Sequence, residues 1–360
     1  MPASRFRFEL LGEQDGVRRG RYHTPHGSFE TPCFAPVGTY ASVKGLTPDQ
    51  VRACGAELIL ANSYHLFDRP GVEVIARRGG LHRFMAWDGP ILTDSGGYQV
   101  FSLSEHRRVD DDGVTFRSPV HGTERRLTPE SVLETQRDLG PDIAMVLDEC
   151  PPGGAPREVT QAAHERTLRW ARTARDVHNR WGGSARGQAV FGIVQGGTDP
   201  ELRATSAAAL VAMEFDGYAL GGLSVGESKS EMALATAAAT AVLPRDRIRY
   251  MMGVGTPDDF RAATRQGVDL FDCVTPTRHG RNHEAFTRTG RLKLRNAQFV
   301  DDDAPLDAAC RCYTCRTFSR AYLRHLSVAN EMLAGTALSL HNIHYFEDVM
   351  AEIRAEVGVG

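Results

Sequence analysis

The chain has 360 residues, of which 41% are hydrophobic, and its net charge is −3 at neutral pH. This length suits one large core of about 250 residues with a smaller appendage. No run of about 18 apolar residues is present, and the N-terminus lacks the apolar segment of a secretory signal. We therefore expect a cytoplasmic protein without a membrane span. Because the net charge is near zero, a nucleic-acid partner would need a local basic patch.

The first 32 residues differ in pattern from the rest of the chain. Phe6, Phe8 and Leu10 alternate with polar neighbours, and Gly20 and Gly27 mark turns. Alternation with a period of two is typical of a half-buried strand. The pattern predicts a small antiparallel hairpin that caps one mouth of the main domain.

Eight short apolar runs recur along the next 240 or so residues. They are bounded by Gly, Pro or Asp and do not alternate with polar residues, which is typical of parallel strands buried on both faces. The predicted strands are residues 33–35, 58–61, 91–93, 143–147, 190–194, 218–220, 250–252 and 270–271.

Helical segments separate most of these runs. Thr47, Thr128 and Thr256 each precede a proline, the arrangement of an N-cap followed by the first helical residue. Strand, helix and strand in repetition imply parallel pairing through right-handed crossovers. Eight strands predict an α/β fold, a closed (β/α)8 TIM barrel, with an open doubly wound sheet as the structural alternative.

Polar residues directly follow several of the predicted strands. They are Asp94, Asp148, Gln195 and Asp272, and glycine pairs accompany them at 196–197 and 221–222. Catalytic groups of a barrel lie at these carboxyl ends of the strands. A single Asp here is equally well explained as the N-cap of the next helix. Three carboxylates, an amide and several glycines at one rim nevertheless predict a ligand site.

These side chains suit chemistry at a glycosidic bond. Of two carboxylates that flank a sugar, one can attack the anomeric carbon while the other moves protons. Asp148 and Gln195 could hydrogen-bond the edge of a heterocycle. Tyr98 and Met252 could stack on its faces, although such residues near a strand end are more often part of the core.

A basic stretch follows the last predicted strand. Its members are Arg278, Arg281, Arg288, Arg291, Lys293 and Arg295, with Glu284 as the only acid among them. A strip of this kind can hold a phosphate backbone, although a solvated loop is the ordinary explanation. Its position between Asp272 and a cysteine cluster favours contact with a nucleic acid.

Three of the seven cysteines lie within six residues, at Cys310, Cys312 and Cys315. An odd number of cysteines in a chain without a secretory signal argues against a disulfide framework and for a metal site. Thiolates with one imidazole suit tetrahedral Zn²⁺, and four protein ligands would make the ion structural. His341 and His344 are both candidates for the fourth ligand, and His325 is a weaker one.

Several longer motifs stand along the chain. They are PVGT at 36–39, DSGGYQ at 94–99, GIVQGG at 192–197, GGLSVGE at 221–227, MGVGTP at 252–257 and FDCVTPTR at 271–278. Together they resemble the motifs of tRNA-guanine transglycosylases. The resemblance extends from about residue 5 to 350. It implies a barrel over residues 1–275 with its N-terminal cap, an inserted zinc-binding subdomain over 276–345, and a C-terminal helix over 346–360 that packs on the barrel.

The resemblance also implies a reaction and a set of residues. Asp272 would be the nucleophile, forming a covalent bond to the ribose, and Asp94 the general acid/base. Arg278 and Arg281 would contact RNA. The substrate-binding residues would be Ser95, Tyr98, Asp148, Cys150, Gln195, Gly222, Leu223 and Met252, with the Leu223 carbonyl facing an aminomethyl substituent. The ligands of one structural Zn²⁺ would be Cys310, Cys312, Cys315 and His341.

The expected reaction is exchange of the wobble guanine in tRNAs with a G-U-N anticodon for 7-aminomethyl-7-deazaguanine, by ping-pong kinetics in queuosine biosynthesis. Cys150 and Val225 match the bacterial members that take this base. The family suggests a homodimer. Two alternatives remain at this point, a catalytically silent tRNA-binding subunit and a barrel hydrolase acting on N-glycosides.

Overall fold

A three-stranded antiparallel sheet opens the chain in a computed structural model of the protein, which describes residues 5–103, 107–118 and 121–358. Its strands are β1 (Arg7–Gln14), β2 (Val17–Thr24) and β3 (Gly27–Thr31). The predicted antiparallel hairpin is therefore confirmed, with a third strand added. Arg18 fastens the sheet to the main domain, because its guanidinium donates to the Arg245 carbonyl at 2.7 Å and lies 3.2 Å from the Asp269 carboxylate.

Eight parallel strands close into a barrel, which excludes the open-sheet alternative. All eight predicted strands are confirmed. The strand at Ile91–Thr93 pairs with the strand at Ile143–Met145, and Leu270–Cys273 pairs with Cys33–Gly38, which completes the ring. Every residue of these strands is buried, because the barrel interior covers one face and the helices cover the other. The strands are β4 (Cys33–Gly38), β5 (Ile59–Ala61), β6 (Ile91–Thr93), β10 (Ile143–Met145), β11 (Ala189–Val194), β12 (Gly217–Leu220), β13 (Ile248–Met251) and β14 (Leu270–Cys273).

The helices outside the barrel begin where the sequence predicts. Thr47 caps the first of them in a capping box, since its hydroxyl accepts from the Gln50 amide and its own amide donates to the Gln50 side chain at 2.9 Å. Thr128 and Thr256 cap two later helices. The helices are α1 (Pro48–Ala53), α2 (Ser63–Leu66), α3 (Val72–Arg77), α4 (Gly80–Met85), α5 (Gly97–Leu103), α6 (Pro129–Leu139), α7 (Arg157–Arg180), α8 (Pro200–Val211), α9 (Lys229–Thr240) and α10 (Pro257–Thr264).

An antiparallel sheet that the sequence pattern did not predict interrupts the barrel between α5 and α6. Its strands are β7 (Arg107–Asp110), β8 (Gly113–Arg117) and β9 (Glu124–Leu127). Val114 and Phe116 of the middle strand are buried in a small core with Trp170 of α7. Short helical turns of other types occur at Phe67–Gly71, Gly183–Arg186 and Ala297–Phe299.

The last quarter of the chain departs from the barrel rhythm, as expected from the sequence. The cysteine cluster lies here, and one long helix, α14 (Met332–Ala355), joins this segment to the barrel, since it contacts both α11 (Thr275–Arg281) and β4. α14 is continuous across residue 345. The elements are α11 (Thr275–Arg281), β15 (Glu284–Thr287), β16 (Gly290–Lys293), α12 (Tyr313–Thr317), α13 (Arg320–Ala329) and α14 (Met332–Ala355). Within the described residues, no helix combines the length and the apolar character needed to cross a bilayer.

Candidate active site and metal centre

Four of the predicted site residues lie at the carboxyl ends of the barrel strands. Asp94 follows β6, Asp148 lies beyond β10, Gln195 follows β11, and Asp272 is in β14. All four side chains are at least nine-tenths buried. A buried carboxylate is costly unless it is paired or hydrogen-bonded, so the partners of each group determine what it can do.

Asp94 is enclosed by donors from the neighbouring strand end. Its Oδ1 accepts from the Ser63 amide at 2.9 Å, and its Oδ2 accepts from the side chains of Asn62 and Gln99. Burial nevertheless raises the pKa of Asp94 to about 7, and the negative charge of Asp272 adds to the rise. A carboxyl group with such a pKa can both give and take a proton near neutral pH.

Asp272 is held through one of its two oxygens. Oδ1 accepts from the Tyr250 hydroxyl at 2.5 Å and from the Gly253 amide at 2.8 Å. Burial raises the pKa of Asp272, while these two hydrogen bonds oppose the rise. No donor to Oδ2 is found among the described residues. One oxygen is therefore anchored and the other is available for a ligand.

Asp148 and Gln195 form a hydrogen-bonded pair. Gln195 Nε2 donates to Asp148 Oδ2 at 2.7 Å, and the Ser95 hydroxyl donates to Oδ1 at 3.3 Å. Burial raises the pKa of Asp148 to about 6, against the hydrogen bond from Gln195. Gln195 Oε1 is buried and lacks a hydrogen-bond partner in the described part of the chain. An unpaired amide oxygen at this depth is a ready acceptor for a ligand.

A glycine is required beside this pair. Gly222 has φ of +64°, and a Cβ at this position would lie 2.4 Å from Gln195 Oε1. Neither the backbone conformation nor the space permits a side chain. The loop after β12 can thus approach the loop after β11 closely, which exposes backbone groups to a flat ligand.

The remaining predicted contact residues lie around this rim. Tyr98 is in α5 and its side chain is 56% exposed, so a ring face is open to a ligand. Met252 follows β13 and is half-buried against the barrel core. Cys150 and Leu223 are buried in the loops after β10 and β12.

The sequence argument missed two kinds of residue at this site. Asn62 and Ser63 directly follow β5, so the same strand-end rule could have found them. Tyr250 is inside β13, where its sequence context is that of an ordinary core residue. No pattern in the sequence distinguishes it from one.

The predicted basic strip is divided by the structure. Arg288 is paired with Asp348 and Glu352, and Arg291 lies 3.6 Å from Glu284. Arg278 and Arg281 are exposed on α11 and form no ion pair with any described residue. Lys293 and Arg295 are likewise exposed without an ion pair to a described residue, so four members of the strip are not neutralised by an acid.

The three clustered cysteines meet one histidine and could together hold a metal ion. His341 Nδ1 lies 3.6, 3.5 and 3.3 Å from the sulfur atoms of Cys310, Cys312 and Cys315. All four ligand atoms lie within 4.8 Å of one another, as tetrahedral coordination requires.

The second ring nitrogen of His341 is fixed by a backbone group. Nε2 lies 2.7 Å from the Phe286 carbonyl oxygen, which makes Nε2 the protonated atom and leaves Nδ1 to the metal. His344, the other candidate, has its Nδ1 3.2 Å from the Cys54 carbonyl. The group of three thiols and one imidazole contains His341 and not His344.

The chain is similar over nearly its whole length to one family of known proteins. The family model described as queuine tRNA-ribosyltransferase matches residues 14–360. A queuine tRNA-ribosyltransferase of Nitratidesulfovibrio vulgaris is 52% identical over 98% of this chain and 93% of its own length. Proteins of the same name from Pelotomaculum thermopropionicum and Nitrosomonas eutropha are 51% and 50% identical, over 99% and 98% of this chain and 95% and 97% of their own lengths. The chain therefore belongs to the queuine tRNA-ribosyltransferase family of pentosyltransferase enzymes.

Proposed function

We propose that this enzyme exchanges the wobble guanine of tRNAs with a G-U-N anticodon for 7-aminomethyl-7-deazaguanine, a step of queuosine biosynthesis. The observation that carries the proposal is the pair of buried carboxylates, Asp94 and Asp272, at one rim of the barrel. They differ in their environment, as an acid/base and a nucleophile must. A tRNA substrate would make the cytoplasm the place of action.

Asp272 is the proposed nucleophile. Because Tyr250 and Gly253 both donate to Oδ1, Oδ2 is the oxygen that attacks C1′ of the ribose. The bond from C1′ to N9 of guanine breaks, its electron pair moves to N9, and an ester bond joins Asp272 to the ribose. Asp94, protonated near neutral pH, gives its proton to the departing base.

The second half of the cycle reverses these steps with a different base. Guanine leaves first, so the kinetics are ping-pong. 7-Aminomethyl-7-deazaguanine then loses its N9 proton to the Asp94 carboxylate, and N9 attacks C1′. The ester bond breaks and returns the electron pair to Asp272. The same pair of groups thus serves both bases by microscopic reversibility.

Recognition of the base is assigned to the Asp148–Gln195 pair and its surroundings. Asp148 accepts from N–H groups of the base, while the Gly222 amide donates to the oxygen of the base. Gln195 and Ser95 complete the set of groups that contact the base. Tyr98 and Met252 lie on the two faces. The Leu223 carbonyl accepts from the aminomethyl group, and Cys150 lies beside that substituent. The unpartnered Oε1 of Gln195 supports a polar ligand here.

Arg278 and Arg281 are the proposed phosphate contacts of the tRNA. They are exposed and not neutralised by a described acid, and their helix begins three residues after Asp272. Contacts with phosphates fix the register of the nucleic acid on the protein.

A homodimer is proposed from the apolar surface of the metal-binding segment. Tyr313, Phe318 and Tyr322 lie in sequential ring contact, and Met332 at the start of α14 is 91% exposed. A connected apolar patch of this kind is typical of an interface. Sedimentation velocity at micromolar concentration tests the proposal, and a monomer would contradict it.

The metal is proposed to be one structural Zn²⁺, since three thiolates with one imidazole are its usual closed ligand set. Cys312→Ser should lose the metal and destabilise the protein. Cys54→Ser is the matched control, because Cys54 is also buried and near this site but donates to the Leu340 carbonyl instead. Elemental analysis and thermal melting measure both. Full zinc content in Cys312→Ser would refute the ligand set.

The activity is tested by incorporation of radiolabelled guanine into an unmodified G-U-N tRNA, with a transcript lacking the wobble guanine as control. We expect label only in the first transcript, released by 7-aminomethyl-7-deazaguanine. Release of guanine with water as acceptor would favour an N-glycoside hydrolase. Tight tRNA binding without exchange, from zinc-replete protein, would favour a silent subunit.

A further inference from the structure

Arg203 is a fully buried arginine that contacts the two loops after β11 and β12, which contain Gln195 and Gly222. It lies in the first turns of α8, and its side chain has no solvent exposure. Nε donates to the Gly197 carbonyl at 2.7 Å, and Nη1 donates to the carbonyls of Val194 and Gly221 at 3.0 and 2.7 Å. Nη2 donates to the Gly222 carbonyl at 3.3 Å. One planar group thus engages four backbone oxygens.

These oxygens come from two separate loops. Val194 and Gly197 flank Gln195 after β11, while Gly221 and Gly222 follow β12. The two loops approach so closely that a Cβ on Gly222 would meet the Gln195 side chain. Only a guanidinium offers rigid, forked donors that can hold both loops at this spacing.

The charge of Arg203 is not neutralised by an acid. No carboxylate forms an ion pair with it among the described residues, and burial lowers the pKa of Arg203 to about 10. A buried cation that is satisfied only by carbonyls is unfavourable compared with a paired one. Departures of this kind from ordinary packing occur where a functional geometry has to be maintained.

The guanidinium also acts on the peptide groups that face the site. The Gly221 carbonyl shares its peptide unit with the Gly222 amide, and the Val194 carbonyl shares its unit with the Gln195 amide. A hydrogen bond to a carbonyl strengthens the N–H of the same unit as a donor. The amide of Gly222, which the proposed function assigns to the oxygen of the base, is thereby polarised from behind.

We propose that Arg203 is a positioning residue that sets the distance between the loops after β11 and β12. Through this distance it determines the affinity of the site for the purine-type base. This inference rests on the proposed function. It assigns no contact with the substrate to Arg203. Substitution of Arg203 should weaken binding of the free base much more than binding of tRNA, because the proposed phosphate contacts are made by other residues.

Arg249 provides a matched control. It too is buried, and it donates to the carbonyls of Leu243 at 2.6 Å and Gly267 at 3.4 Å. Burial lowers the pKa of Arg249 to about 10, as for Arg203. These carbonyls belong to loops that enter β13 and β14 at the opposite end of the barrel. The two arginines therefore share their chemistry and differ in which loops they hold.

The test compares Arg203→Lys, Arg203→Gln and Arg249→Lys by steady-state guanine exchange and by thermal melting. We expect both Arg203 variants to raise KM for guanine by about 10- to 100-fold. A displacement of about 1 Å in the loops that hold the base is enough to cause a change of this size. KM for tRNA should stay within about twofold in all three variants. Arg249→Lys should melt at a similarly lowered temperature with an unchanged KM for guanine.

Three results would overturn the assignment. One is an unchanged KM for guanine in the Arg203 variants. Another is an equal rise in Arg249→Lys, which would mean that general destabilisation is the cause. The third is failure of both Arg203 variants to fold while Arg249→Lys folds, since Arg203 would then be required for stability alone. An inactive wild-type protein would instead count against the proposed function.

Discussion

Two buried carboxylates at opposite ends of the barrel, Asp142 and Asp94, are held in opposite ways. At the end where the strands begin, Asp142 accepts from His26 at 2.8 Å, His82 at 3.1 Å and the Ile91 amide at 3.0 Å. Burial alone would raise the pKa of Asp142, but the hydrogen bonds from His82 and His26 hold it below its ordinary value. At the end where the strands finish, burial prevails, and the pKa of Asp94 rises to about 7.

The difference shows what each end contributes. The carboxylate of Asp142 is stabilised in its charged form, so it strengthens the fold at neutral pH. Asp94, Asp148 and Asp272 are held in surroundings that disfavour their charge, so they weaken the fold at neutral pH. On the proposed function, a carboxylate that supports the fold and a carboxylate that moves protons thus lie at opposite ends of the same barrel.

The largest effect is expected for Asp272→Asn. Exchange should fall by at least about 10³-fold, because the amide cannot form the ester, while tRNA binding is retained. Both hydrogen bonds to Oδ1 can persist in the variant. Radiolabelled guanine exchange and a filter-binding assay measure the two effects, and near-normal turnover would refute the nucleophile assignment.

The same variant should be more stable than the wild type at pH 8, because it lacks a carboxyl group that the fold disfavours in its charged form. The pKa of Asp272 is raised in the fold, so the wild type loses stability as pH rises through that pKa. The advantage of the variant should therefore shrink as pH falls towards 4. Equal melting temperatures at both pH values would contradict the proposed contrast between the ends.

Proton transfer by Asp94 predicts a pH dependence. Since its pKa is about 7 in the fold, kcat/KM for tRNA should fall by about tenfold per pH unit well above this value, as the acid loses its proton. In Asp94→Asn the residual rate should be lower by about 10²-fold or more and should not show this limb. A parallel pH profile in both proteins would exclude Asp94 as the acid.

Asp142→Asn tests the other end. We expect a loss of about 2–4 kcal/mol in the free energy of unfolding at pH 7, because two histidines and an amide lose a charged acceptor. Exchange per folded molecule should change by less than about twofold. Urea unfolding compares this variant with Asp272→Asn, and the contrast fails if both shift stability in the same direction.

The smallest effect is expected from Arg278→Ala and Arg281→Ala. Each should raise KM for tRNA by about fivefold and reduce the slope of log affinity against log salt by about one. Arg291→Ala is the control, since Arg291 lies near Glu284. Equal effects of all three would show that RNA binding is not confined to Arg278 and Arg281.

Much of the site could be predicted because polar residues follow apolar runs directly. Asp94, Gln195 and Asp272 are recognisable from their place after a predicted strand, and Thr47 from its capping pattern. Tyr250 and Arg203 could not be found this way. Each is part of a regular element, and its role depends on which loop its side chain reaches in three dimensions.

The inserted sheet escaped prediction for a different reason. β7 and β9 are mostly charged, with one apolar residue each, Val109 and Leu127. Strands are recognised in a sequence by a short apolar run or by the alternation of apolar and polar residues. β7 and β9 show neither pattern, and only the middle strand, β8, is largely buried.

The helix that presents Arg278 and Arg281 begins three residues after Asp272, with no flexible linker between them. On the proposed function, the distance between the groups that hold the phosphates and the atom that attacks the ribose is therefore fixed by the fold. A tRNA docked one nucleotide out of step would present its sugar where no rotation of Asp272 could reach it. The fixed spacing between the phosphate contacts and Asp272 would then select a single anticodon position before any base is bound in the pocket.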